Sequence, residues 1–265
     1  MNPSIGVVTI ALNEEQYIGA SLRSVIRHPN VKKVAVVEGA SRLFSHAATE
    51  KGLSVDNTKG IIQKVQSEPN GEKIIYEQMG WAVDKSQMRN RALALLGKDM
   101  DYILVVDADE VWKQEDLTQL VAEVLHAPHI NVFYFGFYHF WHNPKLVAVG
   151  SQWDKPLFRC FKYENKNLRW DRHEAPVVNE YGQSIDIPAQ STTLQRVHVY
   201  HYGAMKDGKR IREKLEYYRK RDEKLKVVDT WTNWQDGLPT QWTHGGGTVQ
   251  PFTGTHPEEI ERMLQ

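Results

Sequence analysis

Two aspartates separated by a single residue offer the clearest chemistry in this chain: Asp107-Ala-Asp109, preceded by the apolar run 102–106 and followed by Glu110. Carboxylates at the end of a buried strand cannot both leave water unpaired without a large desolvation cost, so a divalent cation is an economical partner for them. Hard, oxygen-seeking Mg2+ or Mn2+ suits such ligands, and either ion bridges readily to phosphate oxygens. The same spacing has a plainer reading, an acid-rich helix N-terminus stabilised by the helix dipole. His198 and His201 lie three residues apart in an alternating segment, so on a strand they point to opposite faces and only one can enter a cleft. His139, His142 and His173 show no useful spacing to one another.

Such groups need a scaffold that brings strand ends together. Residues 5–12 form a near-continuous β-branched apolar run, as expected of a strand covered on both faces. A helix is expected directly after it, with Asn13 as its cap, Gln16 at the reciprocal position and Ile18, Leu22, Val25 and Ile26 on one stripe before Pro29. A second strand over 31–38, a helix around 45–51 and a short third strand over 73–76 continue a βαβ rhythm. Asp84 is placed to cap a further helix carrying Met88, Ala92, Leu95 and Leu96, and the strand 101–106 then delivers the acidic cluster at its carboxyl end. Open α/β sheets bind ligands at that edge, because the loops leaving it form the crevice.

After a helix over 114–126 the chain turns to aromatic, alternating segments at 132–140, 157–161 and 194–202, which predict strands of a mixed second half. A long helix over 207–227 follows, with dense Lys, Arg and Glu away from its apolar side. The tail holds Trp231, Trp234 and Trp242, which either stack on an acceptor sugar or base or pin the tail to the domain. Gly245-Gly-Gly247 has no strand leading into it and is not a phosphate loop.

A length of 265 residues and 41% hydrophobic content allow one large α/β domain with an appendage. The 33 Lys and Arg balance 33 Asp and Glu, which argues against attachment to nucleic acid or an anionic membrane by bulk charge. No apolar stretch approaches the roughly 18 residues that cross a bilayer, and no basic segment followed by a long apolar run opens the chain. The expectation is a cytoplasmic protein with no signal peptide and no stable membrane insertion. Cys160, the single cysteine, fits a reducing compartment and excludes a Cys-based zinc site.

Six pieces occur in order: Ala11-Leu-Asn-Glu-Glu15, Val36-Val-Glu-Gly-Ala-Ser41, Lys85-Ser-Gln-Met-Arg-Asn-Arg-Ala-Leu93, Asp107-Ala-Asp-Glu110, His173-Glu174 and His198-Val-Tyr-His-Tyr202. Over residues 4–220 this ordered set resembles glycosyltransferase family 2, in motif pattern closest to bacterial lipopolysaccharide-core-type glycosyltransferases. The resemblance implies an α/β GT-A fold, in which a Rossmann-like nucleotide-sugar-binding half (1–112) is fused to a mixed-sheet acceptor and catalytic half (113–226), with a C-terminal helix and an irregular aromatic-rich tail (227–265). It further implies an inverting, hexosyltransferase-like enzyme that uses a nucleotide-diphosphate sugar donor and Mn2+ or Mg2+. The acceptor would be a hydroxyl of a glycan, a lipid-linked sugar or a modified nucleobase.

Residue roles follow from the motif positions. Ala11, Asn13 and Glu14 would touch the base and ribose, as would Glu38, which replaces the family's usual Asp with a side chain longer by one methylene. Arg89 would face the diphosphate through its forked donors, with Lys85 a second candidate. Asp107 would contact ribose or a water on the metal, Asp109 would bind the metal directly, and His201 would be a further metal ligand. Glu174 would take the acceptor hydroxyl proton, with Asp171 and Asp154 as alternatives. Lys206, Lys209 and Arg210, near the start of the long helix, could close over the diphosphate.

Other readings use the same residues. Val105-Val-Asp-Ala-Asp-Glu-Val111 also satisfies the opening of haloacid-dehalogenase-like phosphatases, whose first Asp attacks phosphorus. That motif normally opens its domain, whereas strand–helix units precede it here and no later paired-Asp motif follows. A non-catalytic nucleotide- or sugar-binding protein of the same fold, or a nucleotidyltransferase with a similar aspartate pair, completes the alternatives.

Overall fold

The apolar run at the start of the chain becomes β1 (Ile5–Ala11), which lies inside a parallel array between β2 (Val31–Ser41) and β4 (Tyr102–Val105), while β3 (Ile74–Ala82) pairs with the far side of β2. A strand in that position is buried on both faces, and Ile5 and Val7 enter one apolar cluster while Val8 enters another. The computed structural model describes residues 2–150, 153–164, 167–172, 177–206, 208–211, 213, 216 and 248–265.

Helices cover both faces of the array. On one face α1 (Ile18–Ile26) contributes Ile18, Leu22 and Val25, α2 (Thr58–Gln66) contributes Ile62 and Val65, and α4 (Gln114–His126) contributes Leu117, Leu120 and Val124. On the other, α3 (Lys85–Leu96) places Met88, Ala92 and Leu96 at successive four-residue steps. Burying each of the larger side chains stabilises the fold by about 1.5–3 kcal/mol, and this packing, more than propensity, holds helices of nine residues such as α1 and α2. The start of α3 is fixed locally, since the Asp84 carboxylate accepts from the backbone N–H groups of Ser86 and Gln87.

The second half is mostly antiparallel. β8 (Leu157–Lys162) runs against β4, β6 (Val132–Trp141) against β8, β7 (Asn143–Val149) against β6, and β12 (Thr248–Pro251) against β7. β11 (Ser191–Ala204) is parallel to β6, and β5 (Glu110–Val111) pairs with β11 at Tyr200 and His201. Among the described residues this gives one ten-stranded mixed sheet, with β9 (Arg169–Trp170) and β10 (Val177–Val178) as a separate hairpin. A C-terminal helix, α5 (Glu258–Leu264), packs Ile260 into a cluster with Tyr17, Phe140 and Tyr202. Among the described residues no helix is long and apolar enough to cross a membrane.

Several local expectations are corrected. Asn13 does not cap α1, whose N-cap is Tyr17. Asn13 instead takes φ 57°, a left-handed conformation that Asn tolerates, and its side chain accepts from Val55 N–H and donates to the Ala47 carbonyl. The helix expected around 45–51 is a short 3-10 stretch, Arg42–Ala47, and the α helix of this region forms further on as α2. Its narrow apolar stripe and internal Gly60 give a weak sequence signal, and burial of Ile62 and Val65 decides the matter. β3 runs on past residue 76 to Ala82, through the polar pair Glu77 and Gln78 and the glycine at 80, which interrupt the hydropathy signal of the strand. Most of the helix expected over 207–227, and the tail with Trp231, Trp234 and Trp242, lie outside the described residues.

Candidate active site

At the carboxyl ends of β1 and β4 a cavity of about 290 Å³ opens, and Ala11, Asn13, Glu14, Lys85, Asp107, Asp109 and His201 all line it. Asp107 and Asp109 sit in a tight turn between β4 and β5, closed by the Glu110 N–H donating to the Asp107 carbonyl at 2.9 Å. The pairing of β5 with β11 then brings Asp109 to His201: Tyr202 N–H donates to the Asp109 carbonyl at 2.9 Å, and Asp109 Oδ1 lies 3.5 Å from His201 Nε2. Gly203 makes this approach sterically possible, because a Cβ there would lie 2.5 Å from His201 Nε2 and 2.7 Å from Asp109 Oδ2.

The acidic groups are answered by cations of the chain itself. Arg89 Nη2 donates to Asp107 Oδ1 at 3.3 Å and Arg159 Nη2 to Asp107 Oδ2 at 3.1 Å. Burial works to raise the Asp107 carboxyl, and the Arg159 and Arg89 guanidiniums outweigh it, holding the group well below the usual carboxylate range. Arg159 Nε also donates to both oxygens of the fully buried Glu110 at 3.0 Å, and the guanidinium lies 5.1 Å from the Phe137 ring centroid. Burial pushes the Glu110 carboxyl up from its ordinary value, with Arg159 opposing. Lys206 Nζ bridges Glu14, at 2.6 and 2.7 Å, to Asp109 Oδ2, at 2.8 Å.

Charge compensation therefore does not by itself demand a metal here, contrary to the expectation from two neighbouring aspartates. Among the described residues no group of three or more His, Cys, Asp or Glu is gathered for an ion. What fits one is the Asp109 and His201 pair. An octahedral ion with ligands about 2.1 Å away sets neighbouring ligands about 3 Å apart and opposite ones about 4 Å apart. The 3.5 Å separation falls between these values, and Mg2+ commonly rests on one or two protein ligands with phosphate oxygens and water completing its shell.

The remaining expected residues are distributed differently. Glu38 does not line the cavity. Its carboxylate is 1% exposed and accepts from Ser54 N–H at 2.8 Å, from the Gln78 amide at 3.1 Å and from the Tyr76 hydroxyl. Burial works to raise it and these donors together hold it below its ordinary value, so Glu38 ties β2 to β3. Arg89 lies behind Asp107 and is not among the lining residues. Asn90 exchanges hydrogen bonds with the backbone of Trp170 at 2.8 and 2.9 Å, which fixes β9 against α3. Asp171, next along, is exposed and pairs with Arg172 at 3.4 Å. Glu174 lies outside the described residues. His198 stacks on Tyr138 and lines a separate pocket that also contains Asp154.

Arg159, Phe137 and His139 line the cavity without having been expected there. Their signal in the sequence was parity. Within the aromatic strands, 137 and 139 share one face, as do 157 and 159, and the cavity takes both pairs.

Residues 52–180 match the model of the family described as Glycosyl transferase family 2. The matched segment, just under half of the chain, is similar to that family. Among solved structures, Staphylococcus aureus TarS 1–349 in complex with UDP-GlcNAc superposes with a TM-score of 0.50 at 16% identity, over 74% of this chain and 58% of that one. The mannosyltransferase PcManGT from Pyrobaculum calidifontis, in complex with GDP-Man and Mn2+, gives 0.50 at 14% identity over 84% and 65%. The chain thus spans less than two thirds of either of these, and the likeness is one of fold, the GT-A fold. No curated protein matches the sequence.

Proposed function

We propose that this protein is a glycosyltransferase that moves a sugar from a nucleoside-diphosphate sugar to an acceptor hydroxyl, foremost that of a glycan, with inversion at the anomeric carbon and with Mn2+ or Mg2+. The observation that carries the reading is the cavity in which Asp109 and His201 stand 3.5 Å apart while Lys85, Arg159 and Lys206 line the same space. Solved neighbours bound to UDP-GlcNAc, and to GDP-Man with Mn2+, support a donor of this class.

In this reading Ala11, Asn13 and Glu14 form the wall for the base and ribose, and Lys85 and Arg159 face the diphosphate, whose charge their donors match. Asp109 and His201 would hold the metal, which when bound supplies positive charge at the diphosphate oxygens. Arg89 and Arg159 keep Asp107 ionised and oriented at the mouth of β4. Glu174, or Asp171 in its stead, accepts the proton of the acceptor hydroxyl. The acceptor oxygen forms its bond to the anomeric carbon on the face opposite the diphosphate, and the bond to the diphosphate breaks with its electron pair leaving on the nucleoside diphosphate. Residues 1–112 would serve the donor and 113–226 the acceptor, with 227–265 as the tail.

A panel of UDP-, GDP- and TDP-sugars, each with and without Mn2+, tests the reading. At least one should raise the melting temperature in a metal-dependent way and release free nucleoside diphosphate over time. Failure of every member to do either would refute it.

A further inference from the structure

His139 and His201 face each other directly in the β6–β11 ladder, and their Nδ1 atoms are 3.0 Å apart. At that distance one Nδ1 donates and the other accepts. A neutral imidazole carries a single N–H, so the choice made at His201 Nδ1 also sets the state of His201 Nε2. If His201 Nδ1 donates, Nε2 presents a lone pair towards Asp109; if it accepts, Nε2 carries the hydrogen and cannot ligate. The partner ring is well held. His139 is 6% exposed, stacked on Phe137 at 5.2 Å and set edge-on to Trp153 at 5.0 Å.

We propose that His139 is a positioning residue that accepts from His201 Nδ1–H and so holds the His201 Nε2 lone pair beside Asp109, making the pair a preformed seat for Mn2+ or Mg2+. The inference rests on the proposed donor and metal site and adds the group that orients its nitrogen ligand. Reaching this state from the opposite tautomer leaves the protons of the pair unchanged in number: His201 loses its Nε2 hydrogen, takes the Nδ1 hydrogen of His139, and His139 gains one at Nε2. Outer partners of ligating histidines act in this way by fixing tautomer and ring orientation, and their loss lowers metal affinity about 10–100-fold.

The test measures free Mn2+ by electron paramagnetic resonance during titration of the full chain, alone and with UDP or GDP. His139→Phe keeps the ring and removes the acceptor; His139→Asn places a carbonyl oxygen near the position of Nδ1. His139→Phe should weaken Mn2+ binding about 10–100-fold and His139→Asn should restore it to within about threefold of wild type, with metal-free melting of the two variants alike. In 15N-histidine spectra of the Mg2+ and nucleotide complex, His201 should carry its hydrogen on Nδ1. Wild-type Mn2+ affinity in His139→Phe, or a hydrogen on His201 Nε2 in the loaded protein, overturns the inference alone, provided that His201→Ala loses binding. If the wild-type chain binds no Mn2+ with either nucleotide, the reading of the site falls with it.

Discussion

Arg159→Met isolates the cation at the centre of the site. Arg159 is 14% exposed in its side chain, Glu110 is fully buried, and the guanidinium meets both Glu110 oxygens and Asp107 Oδ2. Without it the Asp107 N–H, at 3.1 Å from Glu110 Oε2, is a poor substitute for a full positive charge. Removing one partner of a buried ion pair costs about 3–5 kcal/mol, because the other charge stays stranded in the interior. In a chain of this size that corresponds to a fall in melting temperature of roughly 6–15 °C near neutral pH.

The penalty should depend on pH with a definite sign. Burial already pushes Glu110 up, and without Arg159 nothing comparable opposes it, so its folded pKa then stands well above the unfolded one. The destabilisation is therefore present above that raised value and disappears as pH falls below the unfolded value and both states bind the proton. Adding Glu110→Gln removes the stranded charge and should recover part of the loss in the Arg159→Met background at high pH. Thermal unfolding of wild type, Arg159→Met and the double variant, followed by circular dichroism near pH 8 and near pH 5, measures all three effects. Melting of Arg159→Met within about 2 °C of wild type near pH 8, or a double variant less stable than the single, would refute the reasoning.

Three further outcomes are expected. Asp116, 8% exposed, is pushed up to about 6 from an ordinary 3.8 by burial, only partly offset by His198 N–H at 3.1 Å; its contribution is complete below the unfolded value and is lost as pH rises through about 6. Asp116→Asn keeps the acceptor and should stabilise the protein by about 3 kcal/mol above neutrality and by nothing below about pH 4, as urea unfolding at the two pH values would show. Glu174→Gln should reduce turnover about 10²–10⁴-fold with nucleotide affinity unchanged in calorimetry; equal turnover would pass the base role to Asp171. Gly203→Ala drives a methyl group against His201 Nε2 and Asp109 Oδ2, so Mn2+-dependent nucleotide binding should fall at least about tenfold at a folding cost of about 1–3 kcal/mol, and unaltered binding would separate those two residues functionally.

What could be read along the chain was what is local. The β-branched run of β1, the Asp84 cap of α3 and the strand-end position of Asp107-Ala-Asp109 each depend on neighbours within a few residues, and each stands in the structure as expected. Asn13 shows the limit of such reasoning, since its side chain suits a helix cap but is used to hold a loop 34 and 42 residues away. Glu38 is similar: its carboxylate in a strand-end motif turns into the contacts between β2 and β3, a choice made by Tyr76 and Gln78. Tertiary structure alone decided which charge answers which. Arg159 reaches Asp107 across 52 residues, Lys206 reaches Asp109 across 97 and Glu14 across 192, and His139 meets His201 across 62. Electrostatic energy and hydrogen bonding fall off with distance in space, to which separation along a folded chain bears no fixed relation.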